Sequence, residues 1–235
     1  MPKPEDQFAA FRHSSYARYF SARFLSAAAT QILSTAIGWQ IYQETGSAFL
    51  LGLVGLVQFL PAIVLVIPAG LASDRIGRRF IMGSSIWLEM VCALGILALT
   101  LRDDFNVTLV MTLLTLFGVA RAFFRPASSS LAVNVVPQKD FANAVGWNSA
   151  SWQLADIAGP AAGGLLYGVS AGLAYGTSAV LFLVAGILIF SIPKPAQRIE
   201  REPTSLSVLL GGFSYVWRQK VVLGTITLDL FAVLL

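Results

Sequence analysis

Gly70-Leu71-Ala72-Ser73-Asp74-Arg75-Ile76-Gly77-Arg78-Arg79 sets one carboxylate, three guanidinium groups and two glycines between two long apolar runs. Upstream, Ala48 to Ser73 carries no charge; downstream, Phe80 to Leu101 carries only Glu89. Each run is long enough to cross hydrocarbon as an α-helix, which takes roughly 20 residues. The decapeptide therefore reads as a tight loop joining two membrane helices. Gly70 leaves room for a neighbouring helix to approach, and Gly77 allows a sharp turn. Asp74 is placed to cap the following helix or to pair with a nearby arginine. Arg75, Arg78 and Arg79 anchor the loop on the cytoplasmic face.

Working outward, Phe24 to Gln43, Phe105 to Ala120, Phe141 to Tyr167 and Leu173 to Pro193 are also charge-free or nearly so. With the first two they make six spans, so the fold class is an all-α polytopic membrane protein built on a six-helix bundle. The composition agrees, with 56% hydrophobic and 12% charged residues, against about 25% charged in a soluble domain. Residues 1–17 read as a cytoplasmic N-terminal segment and 18–193 as the bundle. Residues 194–219 read as a cytoplasmic linker, in which Leu206, Val208, Leu209, Leu210, Phe213 and Val216 suit a helix lying on the membrane surface. Residues 220–235 open a seventh apolar run that is too short to cross, so the sequence reads as cut short.

Topology follows from the basic residues near helix ends. Arg12 and Arg18, the three loop arginines, Lys139, and Lys194, Arg198, Arg201 and Arg218 all fall on one side. The other side offers Glu44, Arg102 with Asp103 and Asp104, and the uncharged turn Gly168 to Gly172. The N terminus and the linker are therefore expected in the cytoplasm. Met1 to Ser15 is polar and no cleavage pattern follows, so the first helix reads as an anchor and not as a signal peptide.

Several function classes are disfavoured. The net charge of +4 comes from scattered helix-end residues without a basic stripe, so no nucleic acid partner is expected. His13 and Cys92 are the single histidine and cysteine, which leaves no zinc set and no histidine-assisted nucleophile. No metal, cofactor or catalytic residue is expected. A phosphate-cradling G-x-x-x-x-G-K-[ST] loop is missing, which favours an ion gradient over ATP as the energy source.

The decapeptide resembles the G-x-x-x-D-R-x-G-R-R signature of the major facilitator superfamily of secondary transporters. Gly159-Pro160-Ala161-Ala162-Gly163-Gly164 in the fifth span resembles the G-P-x-x-G-G motif of its proton-coupled antiporters, with Ala155 where that motif usually has a further glycine. Ala155, Gly159 and Gly163 also fall on one helical stripe, and Pro160 bends the rod, which by itself reads as close helix packing. Gly55 to Ala62, Arg125-Pro126-Ala127 and Leu228 to Leu235 are similar to the enterobactin-exporter-like, multidrug efflux branch of bacterial facilitators.

The resemblance implies two six-helix bundles around a central cavity. The partners are then the lipid bilayer, a small-molecule substrate, protons, and a second six-helix half supplied in cis or in trans. It also implies the bacterial cytoplasmic membrane, and export of an amphipathic molecule such as a drug or siderophore in exchange for protons. A proton-coupled importer and a non-transporting six-helix remnant or half-transporter stand as alternatives.

Charges inside a membrane mark functional candidates. Glu89 and Arg121 both lie about 15 Å from the cytoplasmic helix ends at 1.5 Å per residue. As neighbours they would form a proton-sensitive latch or simply satisfy two buried charges. Asn148, Trp152 and Asp156 recur every four residues and give the fifth span one polar face. Asp156 is the first candidate for proton exchange, with a hydrogen-bonded helix contact as the alternative. Asp229, in the seventh run, is a further candidate. Gln31, Thr35 and Trp39 share a face of the first span and, with Gln58, either contact solute or bond between helices. Asp140 is placed to cap the fifth span and to meet the arginines around Arg78 as gating support.

Overall fold

A computed structural model describes residues 7–102 and 105–194, together with Gln219, Gly224, Thr225 and Leu228. The chain divides into two units, Met1–Ile199 and Glu200–Leu235. Every element below belongs to the first. In the second, Gly224, Thr225 and Leu228 are helical. Asp103, Asp104, Asp229, the expected surface helix of the linker and most of the seventh run lie outside the described residues.

No strand occurs among the described residues, which fold into seven α-helices with two short 3-10 turns at Ala9–Arg12 and Gln138–Asp140. The sequence marks most of the helix ends. Helix α1 (Ser14–Thr45) stops at Gly46, whose φ of 62° turns the chain left-handed while its N–H bonds Tyr42 O. Ser47 caps α2 (Ala48–Val64) by accepting Leu50 N–H at 3.3 Å. Helix α3 (Val66–Ile76) ends at Gly77, which stands at φ 117°. Only glycine holds that angle without strain, and α4 (Arg78–Leu101) starts at once. Asn106 Oδ1 caps α5 (Val107–Val135) by accepting from Thr108 and Leu109 N–H. After α6 (Phe141–Val169), Ser170 caps α7 (Ala171–Ser191) through Leu173 N–H.

Three boundaries differ from the apolar runs, each for a physical reason. The uncharged run Ala48 to Ser73 forms two helices, α2 and α3, bent by 59°. Pro68 has no N–H for the Val64 carbonyl and its ring crowds that oxygen, so the ladder breaks at Leu65. The fourth span does not stop at Ala120 but runs to Val135, because Arg121 turns into an internal cavity and leaves the helix intact. The first helix begins ten residues before Phe24, carrying Tyr16 and Tyr19 into the core.

Helix α1 packs on α6 and α7, α4 packs on α5 and α7, and α2 lies along α5. The core holds Leu33, Ile37, Met82, Ile86, Leu114, Phe117 and Phe182. Outside it, Phe49, Val64, Ile157, Leu165 and Val169 are all largely exposed, a surface that water would not favour and lipid does. Helices α4, α5 and α7 are long and apolar enough to cross a membrane, and the bent α2–α3 pair makes a fourth candidate if it counts as one span. Helices α1 and α6, of 32 and 29 residues, have the length but interrupt their apolar surface with polar side chains. Among the described residues the count from length and composition is therefore three to four, against the six expected. At the end of α7, Arg18 donates to Ser191 O at 2.6 Å and Arg79 to Phe190 O at 3.0 Å. Two cations thus satisfy the carbonyls at the negative end of one helix.

Candidate functional site

The polar faces of α1 and α6 meet a buried carboxylate and an arginine in one place. Gln31 of α1, Glu89 of α4, Arg121 of α5, and Trp152 and Asp156 of α6 all line a small cavity of about 60 Å³. That is room for a few waters at about 15 Å³ of probe volume each. Glu89 is 1% exposed and accepts a hydrogen bond from Ser26 Oγ at 3.3 Å. Gln31 Nε2 donates to Asp156 Oδ1 across the α1–α6 contact. Arg121 has Glu89, Arg125 and Asp156 as its charged neighbours.

Two expectations change here. Glu89 and Arg121 share the cavity without meeting at ion-pair distance, so the bond that fixes Glu89 comes from Ser26. Asp156 is exposed within this unit, so burial alone does not distinguish it.

A larger cleft of about 820 Å³ opens beside this cavity, lined by Tyr19 and Arg23 of α1, Arg125 and Ser128 of α5, and Asn148 and Trp152 of α6, among others. Arg125, Phe124 and Trp152 belong to both walls. Tyr16 donates to Ala144 O at 3.0 Å and Tyr19 to Ser128 O at 3.0 Å, tying α1 to α6 and α5 around the cleft. Thr35 and Trp39 fall elsewhere, on a crevice of about 400 Å³ with Ser34, Gly38, Tyr42 and Leu51. Gln58 turns its amide back onto Val54 O of its own helix at 3.3 Å.

The α1–α6 contact depends on small residues. Ala155, Gly159 and Gly163 are buried. A Cβ added at Gly159 would overlap the Gln31 side chain, and one at Gly163 would come within 3.0 Å of the Ile32 backbone. Gly164 faces open space, and α6 continues through Pro160 without a break.

The stretch Gly70 to Arg79, expected as a loop, is helical except at Gly77, where α3 gives way to α4. Arg78 Nη1 donates to Asn134 Oδ1 at 2.9 Å and Ser130 O at 3.2 Å, fastening α4 to the end of α5. Asp74 stands 3.5 Å from Arg78 Nη2 in an exposed pair, while Arg75 is exposed. The close approach expected at Gly70 is not made within this unit, where a Cβ would meet nothing within 4 Å. Asp140 takes the N-cap position of α6 but its side chain makes no capping bond. It bonds His13 Nε2 at 2.9 Å, in place of the arginines around Arg78.

Sequence reasoning passed over Arg23, Ser26 and the pairing of His13. It also missed Gln40, which is buried and accepts from Tyr175 Oη at 2.6 Å. Ser26, His13 and Gln40 each gain their meaning from a partner more than 60 positions away, and no local pattern marks such a partner.

A sequence model of the family described as Major Facilitator Superfamily matches residues 19–235. The chain is 26% identical to "Macrolide efflux protein A" of Streptococcus pyogenes over 208 residues, covering 86% of this chain and 51% of that protein. It is 27% identical over 224 residues to "Multidrug efflux pump Tap" of Mycolicibacterium fortuitum, covering 90% and 54%. A third relative, "Uncharacterized MFS-type transporter YkuC" of Bacillus subtilis, is 27% identical over 192 residues, covering 80% and 44%. The chain thus spans about half the length of the curated relatives it matches.

Proposed function

The chain belongs to the major facilitator superfamily of integral membrane transporters, and we propose that it forms the N-terminal half of a proton-coupled exporter of a small amphipathic molecule. The observation that carries this reading is the cavity joining Glu89, Arg121 and the Gln31–Asp156 bond. Ionisable groups kept inside a membrane protein, with water-sized space between them, are the parts a proton relay uses. In this reading α1 and α6 also span the bilayer, giving six crossings, with their polar stripes turned to a central pathway and away from lipid. The N terminus lies in the cytoplasm of a bacterial cell, with the arginines at the α3–α4 junction on the same side.

The names of two relatives, a macrolide efflux protein and a multidrug efflux pump, support export as the direction. Alternating access needs a second bundle to rock against the first. That requirement fits the open space beside Gly70 and Gly164, where close approach is available but unused. Membership of this family also supports a carrier in preference to an enzyme.

The test is efflux from vesicles of the natural polypeptide that carries these residues, driven by an imposed proton gradient and read with a panel of amphipathic dyes. Gradient-driven efflux that Asp156→Asn abolishes, while gradient-free exchange of the dye survives, is the expected result. Efflux indifferent to the gradient would overturn proton coupling, and accumulation of dye against its gradient on the cytoplasmic side would overturn export.

A further inference from the structure

The larger cleft differs from the inner cavity in its charge. Arg23 and Arg125 stand in its wall, and no Asp or Glu side chain joins them. Neither guanidinium forms an ion pair among the described residues. The polar neighbour of Arg23 is the Tyr19 hydroxyl, which is already committed to Ser128 O. Arg125 is exposed and Arg23 half-buried, so both guanidinium groups are open to an anion that enters the cleft. A guanidinium is a planar fork of donors that matches a carboxylate or a similar oxyanion.

The rest of the wall suits a different part of a ligand. Phe124, Phe141 and Trp152 supply aromatic surface, and Gln153 adds an amide. The volume of about 820 Å³ falls within the range of roughly 300–1,000 Å³ usual for small-molecule sites. Arg125 also lines the cavity of Glu89 and Asp156.

We propose that the cleft between Arg23 and Arg125 recognises an amphipathic organic anion, its oxyanion on the two guanidinium groups and its apolar body on Phe124 and Trp152. This rests on the export reading and adds the sign of the solute's charge. Arg125, which lines both the cleft and the inner cavity, is then the side chain that the solute site and the carboxylate cavity share.

Three probes with one fluorophore test it by equilibrium binding to the natural polypeptide in lipid nanodiscs: anionic dansylglycine, cationic dansylcadaverine and neutral dansylamide. Dansylglycine should bind about tenfold tighter than dansylcadaverine, as a charge-assisted hydrogen bond provides. Arg125→Gln and Arg23→Gln should each weaken dansylglycine about tenfold while leaving dansylamide within about twofold, which also reports that the variants are folded. Arg125→Lys should recover part of the loss, because it keeps the charge without the fork. Equal or tighter binding of the cation, or an unchanged affinity for the anion in both neutral variants, would overturn the proposal.

Gradient-driven flux, measured separately, separates this inference from the reading beneath it. Anion binding without flux would leave the site standing and remove export. Flux of a cation that ignores both arginines would do the reverse.

Discussion

Gln31 donates to the Asp156 carboxylate, and it reaches that carboxylate because Gly159, one turn further along α6, has no Cβ to block the Gln31 side chain. One glycine therefore fixes both the approach of two helices and the placing of a polar bond beside a buried glutamate. Packing and chemistry share a surface here. A change in either is expected to disturb the other.

Gly159→Ala should destabilise the protein by about 1–3 kcal/mol, the usual effect of forcing a methyl group into a filled contact. It should also reduce efflux, since Gln31 must move away from Asp156. Gly164→Ala, five residues on and facing open space, should leave thermal stability within about 0.5 kcal/mol. Thermal unfolding of both variants in the same lipid checks this. Equal effects would mean that the contact at Gly159 is not the tight one.

The two glycines of the Gly70 to Arg79 stretch should separate in the same way. Gly77 stands at φ 117°, so Gly77→Ala should cost about 1–3 kcal/mol in backbone strain and lower the yield of folded protein. Gly70→Ala meets no neighbour and should be nearly neutral for folding. If Gly70 serves contact with a second bundle, it should still slow transport. A normal transport rate with Gly70→Ala would sink that assignment.

Glu89 and Asp156 differ in burial, and their neutral variants should differ accordingly. Glu89→Gln keeps an oxygen for Ser26 but removes a charge beside Arg121 in a buried site. A loss of about 1–3 kcal/mol in stability is expected, together with loss of coupled efflux. Asp156→Asn acts at an exposed position, so its stability should stay within about 1 kcal/mol while coupling is lost. Unfolding midpoints and gradient-driven flux, measured on the same preparations, decide the comparison.

Much of the architecture was legible from apolar runs because lipid imposes a simple demand: about 20 residues without unpaired charge. Phe80 to Leu101 and Leu173 to Pro193 nearly coincide with α4 and α7. The reading failed where a single residue changes hydrogen bonding, as at Pro68, or where a charge is paid for inside the protein, as at Arg121. Trp152, Asp156, Glu89, Arg121 and Gln31 were each legible as polar residues on apolar helices, and they do share one cavity. Thr35, Trp39 and Gln58 carried the same local signal and lie elsewhere, since helical periodicity gives a face but not the helix that face meets. Asp140 was read toward the wrong partner because the one it bonds, His13, is 127 positions away.

That missed partner belongs to a segment with a testable role. Residues 7–13 clasp the start of α6: Trp147 Nε1 donates to Gln7 O at 2.8 Å, Asn143 Nδ2 donates to the same oxygen at 2.9 Å, and Ala10 N–H donates to Asn143 Oδ1 at 3.2 Å. Phe8 stacks on Trp147 at 5.3 Å, and Phe11 meets it edge-on at the same distance. Trp147→Phe would keep an aromatic ring but lose the donor, so it should cost about 1 kcal/mol. Trp147→Ala removes the ring that two phenylalanines pack on and should cost about 2–3 kcal/mol more. Hydrogen exchange over residues 7–13 and 141–147 should rise in that order, with His13→Ala giving a smaller rise confined to the Asp140 end. Unchanged exchange in Trp147→Ala would show that the segment does not hold α6. A rise spread evenly over α4 and α7 would show instead that the variant loosens the whole bundle, and the clasp would lose its claim to a local function.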